Sequence, residues 1–464
     1  MMEEEKELTL EELQDVIANK NIARLVEIFN EYEEIDIAEV ASKLEKIEDL
    51  IFIFRVVKSE YTAELFANLP NDIQEDLVTA MSNSDVIKLV EASYSDDMAD
   101  FLEEMPANLV AKVLANASAE TRNDINILLN YKDHTAGSIM TTEFISLNSN
   151  LTVEEAMAII REKGRDAETV YTIFCRDNKR NFEGTVDLDD LIFANPGTKL
   201  KEILNTDYVS VNVNDDQEEV AQMFKRYDLN AMAVLNNDQK LVGLITIDDV
   251  VDVIDEEVNE DISIQSGVVP LKDSYLGTGV FKIALKYIPW IIVLLVLGTF
   301  SSMVLSRFEE AFQAVPVLAA FIPVLMDTGG NAGSQTSTVV VRAIALDEIN
   351  KGDGKKAIWK EFISSIIVGT IISIFSFCWF LFEMGTGIVK ISSGANMYEV
   401  SGLVSLTLWF TIVLAKLIGC CLPLFAKKLH KDPALMASPF VTTFVDVCSL
   451  LIYFFICMFV FRMI

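Results

Sequence analysis

Histidine is almost missing from this sequence, with only His134 and His430 in 464 residues. That excludes a zinc centre of the usual His/Cys type. Cysteine is also scarce. Five of the six (Cys378, Cys420, Cys421, Cys448 and Cys457) fall in apolar stretches, and Cys175 stands alone in an acidic half, so no disulfide framework is available. Basic charge is short as well: 37 Lys and Arg against 70 Asp and Glu give a net charge of −33. Such a chain has little positive surface with which to meet nucleic-acid phosphate. The amino-terminal segment MMEEEKELTLEELQ has no apolar core of the signal-peptide kind, so the first half is expected to stay in the cytoplasm. A glycine-rich phosphate loop, a nucleophile–base set and an HExxH motif are all lacking, which argues against an enzyme.

What the chain does hold is unevenly distributed. It is 51% hydrophobic with a mean hydropathy of +0.32, and its length suggests about three domains. Residues 281–464 carry 14 basic and 11 acidic side chains, leaving a net of −36 to residues 1–280. Uncharged apolar runs long enough to cross a bilayer occupy 287–306 and 362–382. A third run, 400–426, is broken only by Lys416. Two more, 311–341 and 433–461, hold one charge each, Asp327 and Asp446. Five spans are therefore expected. Lys351, Lys355, Lys356, Lys360, Lys427, Lys428 and Lys431 flank the two loops on one side, and the two loops on the other side hold only Arg307 and Lys390. The positive-inside rule then places the amino-terminal half in the cytoplasm and the carboxyl terminus outside.

An ionisable side chain deep in a span costs at least about 2.5–3.5 kcal/mol on insertion scales. The plain alternative for a single intramembrane Asp is a helix–helix hydrogen bond or a local pair. Here two spans each carry one, amid small polar residues: Asp327 opens DTGGNAGSQTST, and Asp446 follows SPFVTTFV. Carboxylates, hydroxyls and amides without Lys or Arg are oxygen ligands for a hard cation. Gly329, Gly330 and Gly333 permit a close helix approach or a local break. The pattern favours a cation path.

The acidic half contains two duplications. TAELFANLP (62–70) returns as MADFLEEMP (98–106), which suggests stacked helical hairpins, or else an ordinary helical domain with a chance match. FISLNSNLTVEEAM (144–157) and FEGTVDLDDLI (182–192) return as YVSVNVNDDQEEVA (208–221) and LVGLITIDDVV (241–251). Each unit reads as strand, helix, two strands, then a helix opened by Asp-Asp, which suits the helix dipole. The pair resembles tandem CBS modules, a regulatory fold that often binds adenine nucleotides. Thr246 and Asp249 match the ribose-contacting pattern, so ATP or another adenine nucleotide is a possible cofactor. The following run, DDVVDVIDEEVNED (248–261), is dense in carboxylates and has no base. Like charges at helical spacing repel. Either the run is a solvated face, or divalent cations bridge it.

With PVLMDTGGNAGSQTSTVVVR (323–342) and KDPALMASPFVTTFVDV (431–447), the chain resembles the MgtE magnesium-channel family along its whole length. The resemblance implies a multidomain α-helical membrane protein. Its parts would be a cytosolic superhelical domain (1–135), an α/β tandem CBS domain (136–258), an acidic connecting or plug helix (259–280) and a five-span pore domain (281–464). It further implies a homodimer in the cell membrane with the pore on its two-fold axis. Asp446 would be the central pore carboxylate, Asn331 pore lining, and Asp327 a neighbour of less defined role. Regulatory Mg²⁺ would be held by Asp216, Glu218, Asp228, Asp249, Asp252, Glu257, Glu260 and Asp261. Asp432 would share an ion with the plug helix, and one of Asp96, Asp97 and Asp100 (Asp97 in the middle) would contribute from the amino-terminal domain. The implied function is Mg²⁺ uptake, closed when cytoplasmic Mg²⁺ is abundant. The rival readings are an ion-coupled carrier using Asp327 and Asp446 as relays, and a membrane-anchored nucleotide sensor.

Overall fold

A computed structural model describes residues 8–103, 105–165, 167–179, 181–271, 275, 278–308, 315–346, 348–350, 352–390, 396–429, 431–436 and 438–461. Lys351 and His430 lie outside the described residues. The chain divides into two compact units, Met1–Glu257 and Val258–Ile464.

The first unit opens with short helices: α1 (Leu10–Ala18), α2 (Ile22–Glu31), α3 (Glu34–Ala41), α4 (Ile47–Val56), α5 (Ser59–Ala67), α6 (Asn71–Ala80), α7 (Asn83–Val90), α8 (Ser95–Glu103), α9 (Ala107–Asn116) and α10 (Ala119–Leu128). Helices this short are marginal alone. They are held by one apolar core that includes Leu13, Leu25, Ile28, Ile37, Ile53, Leu65, Phe66 and Val86. The stacking is regular: α1 packs on α3, α3 on α5, α5 on α7, and α7 on α9. The repeat seen in the sequence falls on α5 and α8, with Pro70 and Pro106 at the N-caps of the helices that follow, but α5 packs on α3 and α7 whereas α8 packs on α10.

Two small sheets come next. The first is ordered β1 (Ser146–Asn148), β2 (Thr172–Arg176), β3 (Phe182–Asp187), and the second β4 (Ser210–Asn212), β5 (Ala231–Leu235), β6 (Leu241–Thr246). In each, the first strand pairs parallel to the second and the second antiparallel to the third. The parallel crossovers are made by α11 (Val153–Lys163) and α14 (Gln217–Tyr227), with α12 (Leu188–Phe193) and α13 (Leu200–Ile203) between the modules. Thr152 and Glu155 form a capping box at the start of α11. The modules share a core of Phe174, Phe182, Ala233, Leu235 and Leu244. The carboxylate-dense run forms a single helix, α15 (Ile247–Gln265), whose first turns belong to the second module.

In the second unit, α16 (Val280–Arg307), α17 (Ile322–Ala345), α18 (Gly354–Gly385), α19 (Met397–Lys428) and α20 (Ser438–Val460) follow one another. Among the described residues, four segments are long and apolar enough to cross a membrane: Val280–Arg307, Gly354–Gly385, Met397–Lys428 and Pro433–Val460. The remaining expected span is α17. Its 24 residues would reach about 36 Å at the α-helical rise, but its polar stretch keeps it below the other four in hydropathy. α17, α19 and α20 pack on one another, α18 packs on α19, and α16 on α20. No residue of α16 is buried.

Candidate cation sites

α17 has two unlike faces. Leu325, Gly329, Gly333, Thr336, Val340 and Ile344 are buried, whereas Asp327, Asn331, Gln335, Thr338 and Arg342 form an exposed polar row at helical spacing. Glycine makes the buried face possible. A side chain at Gly333 would meet Val441 at 2.9 Å and the Ala415 carbonyl at 3.2 Å, and one at Gly419 would run into the Gly333 carbonyl. Removing the side chains lets α17, α19 and α20 approach at backbone distance. That approach brings Asp446, half-buried on α20, near enough to Asp327 for their charges to repel. The two intramembrane carboxylates and the Asn331 amide therefore belong to one region. The polar row has no cover within a single chain among the described residues.

A second concentration of carboxylates lies inside the first unit. Asp96, Asp97 and Asp100 project from α8, and Asp248, Asp249 and Asp252 from the first turns of α15. The helices belong to one body: Ala99 of α8 joins the apolar cluster that contains Val250 and Val253 of α15. Glu64, Glu143 and Glu168 complete the set, and sequence reading missed all three. Isolated acids carry no contrast in so acidic a half. The signal at Glu143 was local, because it follows two threonines. Its carboxylate accepts from Ser95 N–H at 3.1 Å and Ser95 Oγ at 2.5 Å, and from Thr141 Oγ1 at 3.0 Å. It thereby caps the start of α8 from the module side.

The electrostatics of this seam are unfavourable as it stands. Among the described residues, no ion pair joins a Lys or Arg to Glu64, Asp96, Asp97, Glu143, Glu168, Asp248, Asp249 or Asp252. Burial, then the charges of Asp97 and Asp249, hold Asp96 well above the usual carboxylate range. Burial and the charges of Glu64 and Asp249 push Asp97 up to about 7. Glu168 is pushed up to about 8 by burial and then by Asp249 and Asp248. Burial lifts Asp249 to about 6, against the Thr246 hydroxyl that donates to it at 2.6 Å. Asp100, exposed at the edge, is raised by lost hydration and by Glu103 and Asp97. Oδ1 of Asp96 and Oε2 of Glu168 are buried without a protein hydrogen-bond partner. Orphaned carboxylate oxygens facing an all-oxygen donor set fit a hard divalent cation. No three of these carboxylates converge within 4.8 Å; among the described residues only the exposed Asp187, Asp189 and Asp190 do so. The seam therefore suits an ion that keeps much of its water.

Several of the other expected ligands lie elsewhere. Asp216 caps α14, accepting from Glu218 N–H at 3.0 Å, and Asp228 ends that helix in a left-handed conformation at φ 51°. Twelve residues of helix separate them by about 18 Å, so one ion cannot bridge both within a chain. Gln217 donates to Glu257 at 2.7 Å, which holds Glu257 at the end of α14 where Asp216 and Glu218 sit. Glu260 and Asp261 follow on α15, both half-buried. Asp432 accepts from Ala434 N–H at 2.7 Å and so opens the short turn before α20. Thr246 is buried and its hydroxyl is committed to Asp249.

The family model for divalent cation transporters of the MgtE type matches residues 322–456, that for the MgtE intracellular N domain residues 32–134, and that for the CBS domain residues 136–197 and 200–256. The magnesium transporter MgtE of Thermus thermophilus is 32% identical over 446 residues, covering 95% of this chain and 96% of the relative. MgtE of Enterococcus faecalis is 34% identical over 336 residues, 72% of this chain and 71% of the relative. The crystal structure of the soluble part of a magnesium transporter matches with a TM-score of 0.51 and 32% identity, over 53% of this chain and 97% of that one.

Proposed function

The chain belongs to the MgtE family of magnesium transporters, and from that premise we propose that it is a Mg²⁺-selective uptake channel closed by cytoplasmic Mg²⁺. It is a transporter with an intracellular N domain, not an enzyme. The observation that carries the gating reading is the pair of orphaned buried oxygens, on Asp96 and Glu168, in a seam without a basic partner. Mg²⁺ bound there would replace protons as the charge that lets the amino-terminal domain dock. When Mg²⁺ is scarce the ionised seam repels itself and the docked form loses ground. Each ion biases the equilibrium only by its differential affinity, so several weak sites act together. The seam would hold ions through Asp96, Asp97, Glu168, Asp249 and Asp252, and the end of α14 through Asp216, Glu218 and Glu257. Asp228, Glu260, Asp261 and Asp432 enter as further ligands on the family resemblance.

The polar row of α17 supports a conduction path. In a membrane it needs cover, and a second copy applied across it would enclose Asp327, Asn331 and Asp446 between two identical faces. An exposed apolar stripe on α15 (Ile247, Val251, Ile254, Val258 and Ile262) also calls for a partner surface and supports the same homodimer. Mg²⁺ dehydrates reluctantly, so carboxylate and amide oxygens would hold the hydrated ion. The protein would sit in the cell membrane with its carboxyl terminus outside. Adenine-nucleotide binding through Thr246 and Asp249 would have to compete with their mutual hydrogen bond.

Flux into liposomes, with Mg²⁺ varied independently on each side, tests both halves of the reading. Asp446→Ala is expected to abolish selective Mg²⁺ current, and retained wild-type current would remove Asp446 from the path. Changing Asp249, Glu257 and Glu260 together to Ala should leave flux poorly inhibited by internal Mg²⁺, whereas intact inhibition would refute the switch. A reversal potential that follows pH or Na⁺ would favour the carrier.

A further inference from the structure

Lys416 is the only charge within residues 400–426, and it is not at a helix end. Its Nζ stands 3.0 Å from Glu361 Oε2 on α18, with the two side chains only 13% and 18% exposed. It also donates to Thr336 Oγ1 on α17 at 2.9 Å. Thr336 lies on the buried face of α17, opposite the polar row, beside the Gly333–Gly419 approach. One residue on, Ser337 donates to the Met436 carbonyl at 3.1 Å, which ties the same turn to the segment entering α20. A single ammonium thus connects three membrane helices behind the turn of α17 that follows Asn331.

We infer that Glu361 compensates the Lys416 ammonium behind α17 and so keeps the back of the cation path electrically neutral. The inference rests on reading the polar row of α17 as that path. Glu361 acts through Lys416, because an uncompensated ammonium behind the row would oppose a doubly charged ion at low local dielectric. Breaking such a pair leaves a buried charge, whereas replacing both partners with neutral groups is close to neutral for stability.

The experiment is Mg²⁺ flux per folded protein in liposomes, with the melting temperature of each purified variant recorded beside it. Glu361→Gln alone is expected to lower flux roughly tenfold, a coupling of ordinary size for charged neighbours. The double variant E361Q/K416M, in which neither charge remains, should recover to within about threefold of wild type by the same measure. The exchanged pair E361K/K416E should also conduct better than either single change. Unchanged flux per folded protein in Glu361→Gln would overturn the proposal, since the pair would then serve stability alone. A double variant as poor as the single one would overturn the neutrality argument. Should Glu361→Gln not fold, the double variant carries the test: folding and conducting supports the charge compensation, and failing to conduct removes it. Retained flux in Asp446→Ala would instead indict the path itself, so the two failures remain distinct.

Discussion

Asp446 and Asp327 were legible because an acid in an apolar run contrasts with everything around it, and the cost of placing it there demands a reason. Asp96 and Glu168 had no such contrast, and only the fold shows that their oxygens are sealed from both water and partners. Asp96 offers the sharper test of the two. With its carboxyl held well above the usual range by burial and by Asp97 and Asp249, its protonated form is favoured when no metal is bound. Asn has nearly the same shape and the same charge as that protonated form. Asp96→Asn should therefore leave the metal-free melting temperature close to wild type. The Mg²⁺-induced rise should shrink, because an amide cannot be converted into an anionic ligand. A site weakened tenfold subtracts about 1.4 kcal/mol of ligand stabilisation. Thermal unfolding of the full chain in detergent, with EDTA and then with Mg²⁺, reads both quantities. An undiminished Mg²⁺ response would exclude Asp96 as a ligand.

At the scale of elements, periodicity located the strands, the repeated helices and the apolar spans, since each carries its burial pattern in the sequence. The extent of α15 was less legible. Its acidic face and its apolar stripe share one helix that begins at Ile247, inside the second module, and ends at Gln265. The stop signal is Gly267 at φ +71°, with Val268 N–H returning to the Ser263 carbonyl at 2.9 Å, the hydrogen bond of a Schellman end. The same glycine lies against Trp290 of α16, so that any side chain there would strike the indole, and Lys286 donates to the Pro270 carbonyl at 3.0 Å. The end of the acidic helix is thus clamped to the first span. Gly267→Ala should cost about 1–2 kcal/mol for the left-handed backbone, plus the displacement of Trp290. Gly387→Ala is the control. It has a similar φ of +78° with nothing within 4 Å of an added side chain, and it bears the backbone cost alone. Hydrogen exchange over residues 258–265 should quicken in the first variant and not in the second. Equal protection in both would mean that the clamp does not hold the helix end.

For the molecule as a whole, charge distribution is the feature that sequence arithmetic reported most faithfully and explained least. It gave a net of −36 for residues 1–280 but not where those charges meet. They meet between the helical domain, through Glu64, Asp96, Asp97 and Asp100, and the module side, through Glu143, Glu168, Asp248, Asp249 and Asp252. Raised values at about 6 for Asp249, 7 for Asp97 and 8 for Glu168 mean that the folded seam binds protons the unfolded chain has released. An unperturbed carboxyl titrates near 4. Between about pH 4 and pH 8 the folded state therefore holds the extra protons, and metal-free stability must fall as pH rises through that window, then level off above it. Bound Mg²⁺ supplies the missing positive charge and displaces those protons, so its stabilising effect should widen over the same range. Melting of the full chain at pH 6, 7 and 8 is expected to show a declining temperature in EDTA and a growing gap on adding Mg²⁺, with protons released into weakly buffered solution as the metal binds. A metal-free melting temperature that climbs with pH, or a gap that stays constant, would mean that the seam is not where Mg²⁺ and protons compete. If they do compete there, an acidified cytoplasm closes the protein at lower Mg²⁺, because protons already neutralise the charge that would otherwise drive the domains apart.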